Sequence, residues 1–436
     1  MSRVLLIGRG PLPADTATVT GFSQLRTAHF RTALQGTGHE VRVALLVPQA
    51  APVQPQGWAE VVPVVEEGPG WLEQLEDLAA EADMIVSAGP YNPGRAACLV
   101  AGERPVWADL PGDPFAELHA LAAATEGGLT EERIAAAEAA ALPVLARADA
   151  ISVISGPQRH ALIGELGAVG RLLPGTIPEV HTLPIAMPPT EMQPPRDRAA
   201  GERLVVALSG AFNPWFDDRT AAQGLDAALQ ARPQLAVVVT GGGLEGFFEQ
   251  GYARFEAWAR AWPDRVSLHG WVPQAELPAI IGAANLGLSL DSPGPEPELG
   301  SRTRLLSFIQ HGLLPVATAR CELAREMAQQ GELRAVPLGD PAALTQALVA
   351  LVDEDGAAST AAVRAAQDRL AQAYAPARVA APLVAWAEAP GRTQPAALPA
   401  AALAIQLAEE RDALAQLHAS PTWRTLSRLH RLVRRD

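Results

Sequence analysis

The run Val4-Leu5-Leu6-Ile7-Gly8-Arg9-Gly10 decides how the chain begins to fold. Four consecutive apolar residues ending at glycines are the pattern of a buried parallel strand followed by a tight turn. Phe22, Leu25, Ala28, Phe30 and Ala33 then recur at mixed helical spacing from Phe22 to Leu34. Gly36 and Gly38 stop that helix, and Val41 to Val47 supply a second strand. Strand, helix and strand make a βαβ unit. Met84 to Val86, Pro105 to Trp107 and Ala150 to Ile154 continue the series, which predicts a doubly wound, Rossmann-like α/β domain over residues 1–190.

From Met187 to Glu202 the chain turns polar and proline-rich, as in Pro194-Pro195-Arg196-Asp197-Arg198, the composition of a linker. Beyond it the strands resume at Leu204 to Leu208, Leu235 to Val239, Val266 to Leu268, Leu286 to Leu290 and Leu314 to Ala317, predicting a second Rossmann-like domain over 203–355. Two such domains set a cleft between the carboxyl edges of their sheets, where open parallel sheets bind ligands. Ala358 to Glu388 reads as helix, and segment 356–388 is expected to pack back across the junction. Ala389 to Pro399 breaks the pattern again and separates a tail, 400–436.

The 436 residues carry a formal charge of −14, which argues against a nucleic-acid binder, since phosphate neutralisation needs a basic face. No lysine occurs, so all 34 basic side chains are arginine. A pyridoxal Schiff base and a Walker-type phosphate loop both need a lysine amine and are excluded. Cys98 and Cys321 stand alone, with no Cys-x-x-Cys pair for zinc and no disulfide framework, as suits a reducing cytoplasm. The N-terminal apolar run is too short for a signal peptide, and no stretch of about twenty apolar residues is present to span a membrane.

Several strand ends carry candidate chemistry, each with a structural alternative. Gly8-Arg9-Gly10 opens like a dinucleotide fingerprint, but Pro13 replaces the third glycine and Val47-Pro48 lacks the acidic ribose ligand. Gly10 is left as a bare turn, with or without a ligand beside it. Trp107 to Pro114 places Asp109 and Asp113 on a proline-fixed loop facing the cleft; the same residues suit turn or helix capping. Ser209 to Arg219 leaves a strand and enters a helix, so that Gly210, Asn213 and Arg219 surround an anion-attracting helix start, while Asp217 or Asp218 suits its cap. Gly241 and Gly242 let backbone approach a ligand, and Trp271 and Val272 frame either a nucleobase or a packed core. The richest stretch is Asp291 to Gly312. There Glu298 precedes a helix start, the amides of Leu299, Gly300 and Ser301 would face a diphosphate, and Arg302 and Arg304 would neutralise it; the alternative is a surface helix laced with Glu–Arg pairs.

On these residues, in this order, the chain resembles retaining GT-B glycosyltransferases, particularly bacterial enzymes of surface-polysaccharide assembly: Gly210 to Trp215, Thr240-Gly241-Gly242, Gly270 to Pro273 and Glu298 to Arg304 carry the likeness, which covers most of residues 1 to 386. The resemblance implies two Rossmann-like domains facing a cleft, with the nucleotide-sugar donor on the second domain and a glycan or lipid-linked acceptor on the first. It implies a hexosyltransferase needing neither metal nor cofactor, with Glu298, Asp109 and Asp113 as candidate catalytic carboxylates. It also implies a Glu-x7-Glu motif; counting back from Gly312, its second position falls on Ser307 and its first reaches Glu298 only with a one-residue slip. The usual lysine of the diphosphate clamp is absent, leaving Arg219, Arg302 or Arg304.

The tail ends in an amphipathic stretch, with Trp423, Leu426, Leu429, Leu432 and Val433 against Arg424, Arg428, Arg431, Arg434 and Arg435. That is the composition of a helix lying on an anionic membrane, and residues 421–436 are expected to make a peripheral contact with the inner face of the cell membrane. A helix docking on its own domain or on a partner is the alternative. Two other functions stay open: a nucleotide-sugar epimerase on the same scaffold, and a non-catalytic nucleotide-sugar or glycan-binding protein.

Overall fold

The computed structural model describes residues 2–10, 12, 21–47, 61–187, 192–273 and 275–395 and, in the tail, 411, 414, 416, 417 and 419–423. The first lobe runs β1 (Arg3–Arg9), α1 (Phe22–Gly36), β2 (Glu40–Val47), β3 (Val61–Val65), α2 (Trp71–Ala80), β4 (Met84–Ser87), α3 (Asn92–Val100), β5 (Val106–Leu110), α4 (Pro114–Ala124), α5 (Glu131–Arg147), β6 (Ala150–Val153), α6 (Gly156–Ala168) and β7 (Glu179–Thr182). Its seven strands are ordered β3-β2-β1-β4-β5-β6-β7, all parallel. The second lobe runs β8 (Leu204–Ser209), α7 (Asp218–Ala231), β9 (Leu235–Thr240), α8 (Gln250–Ala259), β10 (Val266–Leu268), α9 (Leu277–Ile281), β11 (Leu286–Ser289), α10 (Glu296–Leu299), α11 (Thr303–Gln310), β12 (Leu314–Thr318), α12 (Glu322–Gln329), β13 (Arg334–Val336) and α13 (Pro341–Asp353). Its six parallel strands are ordered β10-β9-β8-β11-β12-β13.

Strands β3, β7 and β13 are absent from the sequence reading, and all three are sheet edges. An edge strand keeps one flank wet, so it needs no continuous apolar run; Glu179-Val180-His181-Thr182 has none, and β3 carries Pro63, which an edge tolerates because its missing N–H breaks no interior ladder. The interior strands bury nearly every residue and read clearly.

The helical segment expected over Ala358 to Glu388 comprises two helices, α14 (Ala357–Ala373) and α15 (Pro376–Glu388), broken where Pro376 cannot continue α14. α14 lies on the second lobe, while α15 returns to the first: Val379, Leu383 and Trp386 share a core with Phe30, Leu34 and Trp107, and the Trp107 and Trp386 rings meet edge to face at 5.6 Å. The interlobe linker is fixed along its described part. Arg198 is buried and donates to the carbonyls of Leu351, Val352 and Glu354, satisfying the C-terminus of α13. Thr393 then bonds Asp149 and Arg171 on the first lobe. Among the described residues no helix is long and apolar enough to cross a membrane. Most of the amphipathic stretch 421–436 lies outside the described residues; Trp423 is exposed.

Candidate active site between the lobes

Three strand ends of the second lobe converge as bare backbone. Gly210, just past β8, takes φ +97° and donates to Thr240 O at 3.1 Å. Gly241, just past β9, takes φ +92°, donates to Gly270 O at 2.7 Å, and lies so close to Gly210 that a Cβ there would strike the Gly210 carbonyl. Only glycine meets both demands, the left-handed conformation and the close approach. Gly242 O accepts from Phe212 N at 2.9 Å, and beside it the Trp271 indole donates to Gly243 O at 3.2 Å with its ring 45 % exposed. Val272, partly buried, follows at the same rim, and Asn213 turns the β8 loop by accepting Phe216 N through its carbonyl. Arg304 reaches into this place from α11: one Nη donates to Ala211 O at 2.8 Å, and the guanidinium lies 5.4 Å from the Phe216 ring centre. Burial, then the neighbouring Arg302, lowers its pKa to about 10, so it remains a cation at neutral pH. Glycine turns, an exposed indole and a cation therefore share one rim. Arg219 stands apart from this set on the first turn of α7, exposed.

Arg302 and Arg304 were expected to act together, and the structure separates them. Arg302 is buried, with Nε on Asp291 at 2.6 Å and both Nη atoms on Glu296 at 3.0 and 2.6 Å. Thr318 Oγ1 completes the Asp291 carboxylate at 2.6 Å. With its donors committed to two carboxylates and the Ser301 carbonyl, Arg302 does not offer the expected diphosphate clamp. The amide cradle is likewise altered, because Leu299 N and Gly300 N already donate to Pro295 O and Glu296 O within α10. Ser301 is partly buried, and Glu298 is exposed and paired with Arg320. Ser307 sits on α11, where its carbonyl accepts from His311. α10 packs on α4 and α6, so this stretch is lobe-to-lobe contact. Ser155 Oγ donates to Leu299 O, and Gly156 N donates to Glu322 Oε2 at 3.0 Å.

The expected carboxylates of the first lobe are occupied too. Asp109, at the end of β5, is fully buried and receives both Nε and Nη2 of Arg26 at 3.0 and 2.9 Å, Ser152 Oγ at 2.6 Å and Gly89 N at 3.0 Å. That leaves it a core ion pair, not a proton-transfer group. Asp113 caps α4, accepting from Ala116 N at 2.7 Å. Gly10 closes the β1 turn, its carbonyl held by Gln24 at 3.1 Å. In the second lobe Asp217 caps α7 through Thr220 N at 2.9 Å, and Asp218 takes a bidentate Arg254 at 2.9 and 2.8 Å.

What the sequence reading missed is a polar group at the carboxyl ends of β1, β3 and β4. Glu66 accepts from Arg9 at 2.5 Å and from Asn92 at 2.8 Å, and Glu67 accepts from Asn92 at 3.3 Å. Glu67 (φ +56°) and Tyr91 (φ +65°) are the described non-glycine residues with positive φ, and both fall here. Such conformations persist only where the surroundings enforce them. The Tyr91 hydroxyl donates to Glu117 on α4, joining this group to the interlobe contact.

No protein-family model matches the sequence, and no curated protein does. Solved structures do. HepE of Anabaena, determined with UDP and glucose, is 15 % identical, covers 89 % of this chain and 100 % of its own, and superposes with a TM-score of 0.61. Sucrose-phosphate synthase of Thermosynechococcus elongatus is 17 % identical, over 88 % of this chain and 98 % of that one, with a TM-score of 0.62. WaaG, a glycosyltransferase involved in lipopolysaccharide biosynthesis, is 16 % identical over 87 % and 99 %, at 0.59. The chain has the GT-B fold. In that fold the rim built by Gly210, Gly241, Gly242, Trp271 and Arg304 lies on the second lobe, at the carboxyl edge that faces the first.

Proposed function

We propose that this protein is a glycosyltransferase that takes a sugar from a nucleotide diphosphate donor and passes it to a glycan or lipid-linked acceptor, with retention of configuration, in surface-polysaccharide assembly. The observation that carries the reading is the rim where Arg304 stands beside the bare turns of Gly210 and Gly241 and next to the exposed Trp271 indole. An indole face suits a nucleobase, glycine backbone lets phosphates approach, and a fixed guanidinium stabilises the charge that grows on the leaving diphosphate. The charge that a metal would otherwise neutralise falls in this reading to Arg304, and no cofactor is needed beyond the donor itself. The first lobe would hold the acceptor along Arg9, Glu66 and Asn92, whose mixed donors and acceptors suit sugar hydroxyls.

Calorimetric titration with UDP, GDP and ADP, followed by measurement of nucleotide release from the matching sugar nucleotides, tests the reading. One nucleotide should bind, and its sugar conjugate should be consumed. Binding without consumption would favour a non-catalytic binding protein; silence with every nucleotide would overturn the proposal. Residues 421–436 carry the expected peripheral contact with a cytoplasmic membrane face, and removing them should weaken sedimentation with anionic vesicles while sparing nucleotide binding.

A further inference from the structure

The loop that joins α6 to β7 is built as a firm support for outward-facing apolar side chains. Arg171 is fully buried and commits its guanidinium to backbone: Nε donates to Thr176 O at 2.6 Å, Nη1 to Leu145 O and Ala146 O at 3.1 and 2.7 Å, and Nη2 to Ala148 O at 2.9 Å. Thr176, also buried, ties the turn from within, its Oγ1 accepting from Leu173 N at 3.1 Å and donating to Leu173 O at 2.8 Å. Gly175 carries the chain round at φ +82°. With the arginine and the threonine inside, Leu172, Leu173 and Ile177 face out, 44, 58 and 48 % exposed. That is the reverse of the sorting that folding alone favours.

A single exposed leucine needs no explanation, but a cluster does. Nine large apolar side chains are exposed among the described residues; three are in this loop and three, Leu414, Leu417 and Trp423, are in the tail. The fold joins the two groups. Arg171 Nη2 donates to Thr393 Oγ1 at 2.8 Å and Gln394 N donates to Gly175 O at 3.1 Å, so the chain departs for its tail from this loop. It continues into 421–436, where Trp423, Leu426, Leu429, Leu432 and Val433 are interleaved with five arginines. Resting on the membrane contact proposed for that segment, we infer that loop 172–177 is a second lipid contact, whose Leu172, Leu173 and Ile177 side chains insert into the surface of the same bilayer. An anionic lipid surface takes both features together, because its headgroups pair with guanidinium groups and its acyl chains cover the loop tip. The loop leads into Glu179, which pairs with Ala150 at the amino ends of β7 and β6, so it lies at the edge of the first sheet opposite the cleft. A bilayer bound there holds the first lobe and leaves the nucleotide rim uncovered.

The test uses the full chain and vesicles of phosphatidylglycerol and phosphatidylethanolamine, read by co-sedimentation. A Leu172→Ser, Leu173→Ser, Ile177→Ser triple variant should bind these vesicles about tenfold more weakly than wild type. Its urea midpoint and nucleotide affinity should stay unchanged, because exposed side chains far from the rim contribute little to either. Contact with acyl chains is read by an environment-sensitive fluorophore attached through Leu173→Cys; Cys98 and Cys321 are buried and do not compete for the label. Its emission should shift to the blue when vesicles are added and be quenched by lipids brominated on their acyl chains. A triple variant that sediments as wild type does, or a label that brominated lipid leaves unquenched, would overturn the inference and leave the tail contact standing. So would a label already shifted without vesicles and restored by deleting 400–436, which would assign the loop to the chain's own tail. Self-association of wild type that the triple variant lacks, with equal vesicle binding by both, would overturn it in favour of a second copy. Wild type that sediments with no vesicle removes the loop and tail contacts together, without touching the glycosyltransferase reading.

Discussion

Two arginines two positions apart show what the sequence holds and what it withholds at the level of the residue. Arg302 and Arg304 look equivalent in Glu298-Leu299-Gly300-Ser301-Arg302-Thr303-Arg304, yet Arg302 is the non-helical cap of α11, at φ −120° and ψ 89°, while Arg304 lies in its first turn, so the two side chains leave the backbone in different directions. Arg302 turns inward to Asp291 and Glu296, and Arg304 turns to the glycine rim. Removing them should therefore do different things. Arg302→Met leaves two carboxylates buried without a cation and should cost about 3–5 kcal/mol of stability, read by urea denaturation. Arg304→Met should leave the denaturation midpoint nearly unchanged and weaken nucleotide binding by about tenfold or more, read by calorimetry. The reverse pattern would exchange their assigned roles. The sequence places Asp109 on a loop after Trp107, but β5 runs on to Leu110 and encloses it, and the partner that this burial requires, Arg26, lies 83 positions away, beyond the reach of any local pattern.

At the level of the element, every strand enclosed by two neighbours was legible, and of the four described edge strands only β10 was. β1, β2, β4, β5 and β6 occupy the interior of the first sheet and read as apolar runs, while at its edges β3 is interrupted by Pro63 and β7 carries Glu179 and His181. The junction of α14 and α15 was hidden for another reason: Ala, Leu and Val continue through it, and Pro376 alone marks the stop. α15 repays closer thought because it belongs to the first lobe by packing and to the second by connection. Trp386 lies against Trp107, which in turn stacks on His181 at 5.1 Å. Trp386→Ala should open a cavity and destabilise the first lobe by about 3–5 kcal/mol, measured by thermal or chemical unfolding, with little change in nucleotide affinity because the rim lies on the other lobe. A large loss of nucleotide affinity without loss of stability would show that α15 acts on the site itself.

For the whole molecule, two partly buried carboxyl groups bear on how stability follows pH. Glu117 is raised to about 8 by burial and by Glu296 across the gap; Glu165 on α6 is also raised to about 8, by burial and by the neighbouring Asp113 carboxyl. In the unfolded chain both titrate near the ordinary glutamate value, so between there and about pH 8 the folded protein binds more protons than the unfolded one. Folding stability must then fall as pH rises through that window: the contribution is fully present below the unfolded pKa and lost once the folded groups ionise. The chain's charge of −14 adds diffuse repulsion in the same direction. Glu117 belongs to the lobe contact that also contains Ser155 with Leu299 and Gly156 with Glu322, so its ionisation should loosen the lobes as well as the fold. Urea midpoints of wild type should drop steadily from about pH 5 to about pH 8.5, and a Glu117→Gln, Glu165→Gln double variant should flatten the curve. Scattering profiles should show the wild-type lobes opening at the alkaline end and the single Glu117→Gln variant remaining closed. A wild-type midpoint that rose with pH would reverse the sign and remove both carboxyls from this account.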